Sequence, residues 1–249
     1  MDPRLRARRV EVLRRRGRRR LRLLLVMLLL ISGAVALIVL SRSELFDVDV
    51  VAVRGAHHTG ADAVRDAAAI APGAPLVDLD LGAARERIAA LPWVDDVRSD
   101  RAVDGTVTFH VTERVVAAAL RSGSAWALAD PAGRVLATVA DPPAEVPIID
   151  ADVADAEPGG WLPAGALPAV QAAALLPSGL ASRVERLATT PLTLELPGGA
   201  RVLLGDTSEL DRKYLVALTI MSEVSLTCGD VVDVQVPTAP FLTNSGQCP

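Results

Sequence analysis

Three histidines, two cysteines and a few close pairs of acids are the side chains of this 249-residue chain best suited to chemistry. The patterns that would put them to work are missing. His57 and His58 sit beside a turn and His110 falls on the outward side of a strand, so all three read as solvent-facing. No His-Glu-x-x-His, no Gly-x-Ser-x-Gly and no phosphate-cradling glycine loop occurs. Asp47 with Asp49, and Asp95 with Asp96, are carboxylate pairs. Acid–base work needs one such carboxyl held in a pocket with a raised pKa, and solvation is the simpler account of both pairs. The expectation is a protein that is not an enzyme and carries no cofactor. Cys228 and Cys248 are too few for a zinc site without a nearby histidine. Two readings of them stand level: a pair of thiols, or a disulfide closing a loop of 20 residues. Such a cross-link would contribute about 3 kcal/mol in an oxidising compartment.

The formal charge of −4 conceals a strict partition. Residues 1–22 hold eleven arginines and two acids, residues 23–40 hold no charge, and residues 41–249 hold 15 bases against 28 acids. A chain divided as +9, 0 and −13 is not a single soluble globule. Leu23–Leu40 is an apolar run of eighteen residues broken only by Ser32 and Gly33. As a helix it would measure about 27 Å, close to the hydrocarbon thickness of a bilayer. A cleaved signal peptide would have a shorter apolar run and a small-x-small site, where Ser41-Arg42-Ser43-Glu44 stands here. The arginines then hold residues 1–22 in the cytoplasm against lipid headgroups, and residues 41–249 lie outside, as in a single-pass type II anchor. Residues 1–40 are thus expected to meet membrane lipid. Only 3% of residues are aromatic, too few faces for stacking single-stranded nucleic acid, so no nucleic-acid partner is expected.

Beyond the anchor the first pattern covers residues 45–114. Phe46, Val48, Val50 and Ala52 alternate with Asp47 and Asp49 as in a strand, which Gly55 stops. Thr59 is placed to cap a helix reaching about Ala69, and Asp80 to cap a second carrying Leu81, Ala84, Ile88 and Leu91 on one face. Trp93-Val94 opens a strand to Arg101, Asp104-Gly105 turns it, and Val107, Phe109 and Val111 form the inward side of the next. The order is β-α-α-β-β.

With Val53-Arg54-Gly55, Pro92-Trp93-Val94 and Glu113-Arg114, this order resembles a POTRA domain, in particular that of the bacterial septal cell-division family FtsQ/DivIB. Val116 stands where that family usually has proline, and Val103-Asp104-Gly105 replaces its Trp-Pro hairpin. A membrane-anchored POTRA scaffold of an export or envelope-assembly system is the alternative.

Residues 115–249 read as a mostly antiparallel β-domain with one long helix, making the whole chain α+β. Ala125–Ala129 and Val135-Leu136 flank an Asp-Pro-Ala-Gly turn, and the acidic residues 141–165 read as an exposed connection. Gln171–Ser182 reads as a weak helix broken at Pro177. Leu192, Leu194 and Leu196 form a strand, Pro197-Gly198-Gly199 turns it, and Arg201–Gly205 returns. Asp206 or Thr207, with Glu209 as the capping-box acid, should start a helix whose apolar face holds Leu210, Tyr214, Ala217, Leu218 and Met221. Val231–Val236 is the last strand expected, with Val232, Val234 and Val236 on one face and Asp233 and Gln235 on the other. The resemblance implies that this edge, with Lys213 and Tyr214 near it, docks small coiled-coil division proteins of the FtsB/DivIC and FtsL type by strand addition. It also implies residence at the division septum.

Overall fold

The computed structural model describes residues 22–36, 47–102, 104–154, 156–244 and 246. Residues 22–36 form helix α1, and every side chain from Leu23 to Ile31 is at least half exposed. No helix among the described residues is long and apolar enough to cross a membrane. The expected span 23–40 runs past α1, and residues 37–40 lie outside the described residues, as does the arginine-rich tail up to residue 21.

The first module keeps the expected order: β1 (Val50–Arg54), α2 (Ala61–Ala68), α3 (Leu81–Ala89), β2 (Val94–Arg101) and β3 (Thr106–Glu113). Its sheet runs β1-β3-β2, with β3 parallel to β1 and antiparallel to β2. Val107, Phe109 and Val111 turn inward onto Val64 and Ala68 of α2 and Ala84 and Ile88 of α3, as their spacing predicts. The Asp80 carboxylate accepts from the Ala83 amide and caps α3.

Two local expectations are corrected. Val50 is exposed, and it is Val51 and Val53 that pack on the core with Val48. The cause is a bulge: the Asp49 and Val50 amides both donate to the Gly105 carbonyl, at 2.9 and 3.3 Å. One inserted residue exchanges the faces of everything after it. Phe46 lies outside the described residues. Thr59 does not cap α2, which follows Gly60 with no side-chain cap, because the Thr59 amide is turned to Glu113. Gly55 is required where it stands: φ is +82°, and a Cβ there would lie 2.1 Å from the Val111 carbonyl oxygen.

The second module is one nine-stranded sheet. Its strands are β4 (Ala118–Ser122), β5 (Ala125–Ala129), β6 (Val135–Val139), β7 (Ile148–Asp152), β8 (Arg186–Thr189), β9 (Leu192–Glu195), β10 (Arg201–Gly205), β11 (Asp230–Asp233) and β12 (Phe241–Asn244). Helices α4 (Leu167–Ala174) and α5 (Ser178–Ala181) precede β8, and the long α6 (Leu210–Glu223) joins β10 to β11. Across the sheet the order is β12-β11-β10-β9-β8-β7-β4-β5-β6.

This sheet is more mixed than expected. The pairs β4–β7, β7–β8 and β10–β11 are parallel, and the last two of these are joined through helices, as a parallel crossover demands. The connection expected over residues 141–165 contains β7, in the interior of the sheet. Ile149 is buried and Ala151 packs on the core beside it, while Asp150 and Asp152 face solvent, so two inward side chains seat the strand. A single core-facing row crosses six strands by register: Ile149, Leu187, Leu194, Val202, Val232 and Leu242. The first five are at most 1% exposed and Leu242 is 42% exposed, so the core reaches the sheet margin and stops half-covered.

Candidate functional site

The strand expected to offer the docking edge is not at the edge. β11 pairs with β10 on one side and with β12 on the other. Val232 and Val234 are fully buried, and the Val234 amide donates inward to the Leu203 carbonyl at 3.1 Å. Asp233 ends the strand and its carboxylate accepts from the Gln235 amide, so Gln235 and Val236 leave the sheet and stand exposed. A proline at 234 would therefore break the fold rather than test an edge.

The margin belongs to β12, which sequence reasoning missed. Its signal was slight: Phe241-Leu242-Thr243 are strand-forming residues, but only four residues long and lying beyond two prolines. All four are exposed. Phe241 pairs with Asp233 on the solvent side, and Leu242 pairs with Val232 on the core side. The Asn244 side chain donates to Asp230 at 2.8 Å. Amide and hydroxyl of Thr227, then Asn244, hold the Asp230 carboxyl below its usual range. The opposite margin, β6, is partly closed: Val135 donates to the Gly160 carbonyl and accepts from the Gly159 amide. Among the described residues no strand pairs with the outer side of β12, and a free row of backbone groups beside half-exposed apolar side chains invites an added strand.

Lys213 and Tyr214, expected beside the edge, are buried at 1% and 0% exposure and present nothing to a partner. The Lys213 ammonium donates to the Leu204 carbonyl at 2.8 Å, the Asp206 carbonyl at 3.0 Å and the Asp206 carboxylate at 2.6 Å. Asp206 is thus committed to Lys213 and Ser208 rather than to capping α6, and Glu209 precedes that helix with φ of +46° and no cap bond. The Tyr214 hydroxyl donates to the Ala172 carbonyl of α4 at 2.7 Å, and burial, then Asp211, pushes its pKa above the usual range. Cys228 is disulfide-bonded; Cys248 lies outside the described residues.

The sequence motifs converge on the module junction. The Glu113 carboxylate accepts from the amides of His58 and Thr59, at 2.7–3.0 Å, and the His58 ring stacks on Trp93 at 4.3 Å. Arg114 donates to the Val94 carbonyl and to Asp130, while Arg134 reaches the Ala90 carbonyl. Burial pulls the Glu113 pKa up, but the amide bonds outweigh it and the net shift is downward from 4.5. A depressed carboxyl contributes stability that is present above its unfolded pKa and lost as pH falls through the folded one. Trp93 emission is therefore expected to show a step in acid, below about pH 4.5, as the His58 loop lets go. Glu113→Gln should remove that step and cost about 1 kcal/mol; an unaltered titration would refute the assignment.

A β-α-α-β-β module followed by a mixed β-domain with an open terminal strand defines a POTRA-bearing protein. The family model for the POTRA domain, FtsQ-type, matches residues 46–114. The cell division protein FtsQ of Streptomyces venezuelae is 33% identical over 218 residues, covering 85% of this chain and 80% of that protein. That of Mycolicibacterium smegmatis is 30% identical over 213 residues, covering 83% and 60%, and that of Corynebacterium glutamicum 31% over 127 residues, covering 51% and 55%. The match thus spans less than two thirds of the latter two proteins. The chain belongs to the FtsQ family of cell division proteins.

Proposed function

We propose that this chain is a non-enzymatic septal division protein that links cytoplasmic and extracytoplasmic division components. Residues 1–22 lie in the cytoplasm, residues 23–40 cross the plasma membrane once, and the two modules stand outside. Eleven arginines before the uncharged run support that orientation, and the exposed apolar side chains of α1 suit a lipid surrounding. The modules dock small coiled-coil division proteins of the FtsB/DivIC and FtsL type by strand addition. The observation that carries this reading is β12: a terminal strand with all four residues exposed, at the margin where the core row ends on Leu242. The net charge of −13 over residues 41–249 favours a basic partner face.

Adjacent amides of a strand point to opposite sides, so of Leu242→Pro and Thr243→Pro one removes a donor from the free edge. That variant is expected to lose at least about tenfold in co-purification of the host's FtsB-type protein while keeping its melting temperature. Full retention by both variants would refute docking at β12. A fluorescent fusion should collect at the septum of dividing cells; uniform membrane signal with normal septa after depletion would end the division reading.

A further inference from the structure

We propose that the outer edge of β2 pairs with β2 of a second copy of this chain, antiparallel about a two-fold axis at Ser99. The three-stranded sheet has two margins, and only one of them is covered. On the β1 side the Arg65 Nε donates to the Val51 carbonyl at 3.1 Å, and Val48, entering β1, exchanges backbone bonds with Ala74 and Gly73 at 2.9 Å. β2 is eight residues long, and among the described residues no strand pairs with its outer side. The Ala102 amide donates to the Thr106 carbonyl of β3. By alternation the backbone groups of Asp100 and Arg98 also turn to β3, and those of Val97, Ser99 and Arg101 turn outward. Such a row invites strand addition. On the solvent face above it stand Arg98 and Asp100, with side chains 84% and 77% exposed. Arg98 lies 3.2 Å from Asp96, and Asp100 lies 3.1 Å from the His110 ring. On the core face Val97 is buried and Ser99 half-buried.

The charges designate the occupant. An added strand sets its own outward groups against those of Val97, Ser99 and Arg101, and like charges directly opposite one another are unfavourable. With Ser99 on the axis, Arg98 stands opposite Asp100 of the partner subunit, and by symmetry Asp100 stands opposite the partner's Arg98. Val97 then pairs with the partner's Arg101, whose aliphatic stem can lie over it, and each outward pair exchanges two hydrogen bonds. The neighbouring registers fail. With Arg98 on the axis, two arginines face each other and Asp96 meets the partner's Asp100. With Asp100 on the axis, two aspartates face each other. With Val97 on the axis, the ladder runs into the register break between Val94 and Asp96. The edge is thus complementary to itself in one register, which points to a second copy of this chain. The axis stands normal to the sheet, so both copies keep their helices on one side and the two sheets become continuous. The second modules, tied to the Val94 end of β2 through Arg114, then lie at opposite ends of the pair and do not collide.

Disulfide trapping of the full-length chain in isolated host membranes tests this, and it does not read docking at β12, so either can fail while the other stands. Residues paired by hydrogen bonds across an antiparallel ladder lie about 5.5 Å apart at Cα, within reach of a disulfide. Under a mild oxidant Ser99→Cys is therefore expected to run as a reducible dimer of twice the chain's mass, and the parent chain as a monomer. Arg101→Cys should stay monomeric, because its two copies stand about 14 Å apart along the ladder. Adding Arg98→Asp to Ser99→Cys is expected to lower the cross-linked fraction at least about threefold, since like charges then face each other on both sides of the axis. Adding Asp100→Arg as well should restore it, because opposite charges face again. Both substituted side chains are largely exposed, so the melting temperature should hold throughout. No dimer of Ser99→Cys, or equal trapping of Arg101→Cys, would overturn the pairing. So would a charge swap that fails to restore it. A reducible adduct of Ser99→Cys with a different protein would overturn the second copy as the occupant of this edge.

Discussion

Replacing Arg114 by leucine is expected to lower stability by about 3–5 kcal/mol. The Arg114 side chain is 19% exposed and spends its donors on three groups. Its Nε donates to the Val94 carbonyl at 3.0 Å, and its Nη1 donates to Asp130 at 2.8 Å and lies 3.2 Å from Asp95. Asp130 is the critical partner, because its side chain is only 3% exposed. Its other oxygen accepts from the amides of Ala132 and Arg134, which shapes the β5–β6 turn and directs Arg134 toward the Ala90 carbonyl. Leucine would leave that carboxylate buried with no cation, the situation in which breaking a pair costs far more than the pair itself is worth. Val94, Asp95 and Ala90 belong to the first module, Asp130 and Arg134 to the second, so the contact is also what holds the two together. Calorimetry should show a melting temperature lower by at least about 6 °C and two separated transitions in place of one. Asp130→Asn added to Arg114→Leu should recover part of the loss, because it removes the stranded charge. A drop below about 2 °C, or strict additivity of the two changes, would refute the clamp.

That result bears on what the sequence could and could not disclose. The three motifs that carry the family resemblance turn out to be mechanical neighbours. Gly55 lets the Val111 carbonyl approach where no Cβ could stand. Trp93 receives the His58 ring, Glu113 ties down the loop behind it, and Arg114 closes onto Val94. Short-range chemistry of this kind leaves a fixed spacing in the chain and is legible. So are the amphipathic patterns of α3, β3, β9 and α6, where several inward residues recur at one period. The strands that escaped have too few inward residues to show a period. β7 has only Ile149 and Ala151, and β12 only Leu242. The β1 faces were inverted because a bulge is set by the partner carbonyl of Gly105, 56 residues away from Asp49, which no local pattern encodes. The docking edge was placed one strand too far in for the same reason: sheet order is a long-range property, and the Val231–Val236 run looks identical whether or not another strand lies outside it.

Lys213 was the residue most misjudged from sequence, and its replacement by methionine is the second large effect expected. A lone lysine on a helix ordinarily extends into solvent, yet here its amine is 1% exposed and points back under the β10–α6 connection. Its three protons are shared among four acceptors: the Leu204 carbonyl, the Asp206 carbonyl, the Asp206 carboxylate and, at 3.5 Å, the Ser208 hydroxyl. The ammonium, then the Ser208 hydroxyl and amide, holds the Asp206 carboxyl far below its usual range. That carboxylate is 74% exposed, so solvent screens part of its share, yet Asp206→Asn would leave the buried ammonium without a counter-charge and should destabilise as well. The carbonyls carry the rest. Methionine preserves the length of the stem but offers no donor, and it leaves the Leu204 carbonyl beside an apolar core residue that is itself fully buried. The loss of charge-assisted bonds at such a site is worth about 3 kcal/mol, or a melting temperature lower by about 6–12 °C. Arginine should not rescue it, because its planar fork cannot converge on acceptors grouped around a single point. The damage should also travel to the sheet margin. Leu203, the neighbour of Leu204, pairs with Asp233 and takes the Val234 amide, so β10 is the support on which β11 and then β12 rest. Hydrogen exchange of Lys213→Met should therefore quicken at β11 before it quickens at β7 or β8. Uniform acceleration across the sheet, or stability within about 1 kcal/mol of the parent, would show that the buried amine does not support the edge.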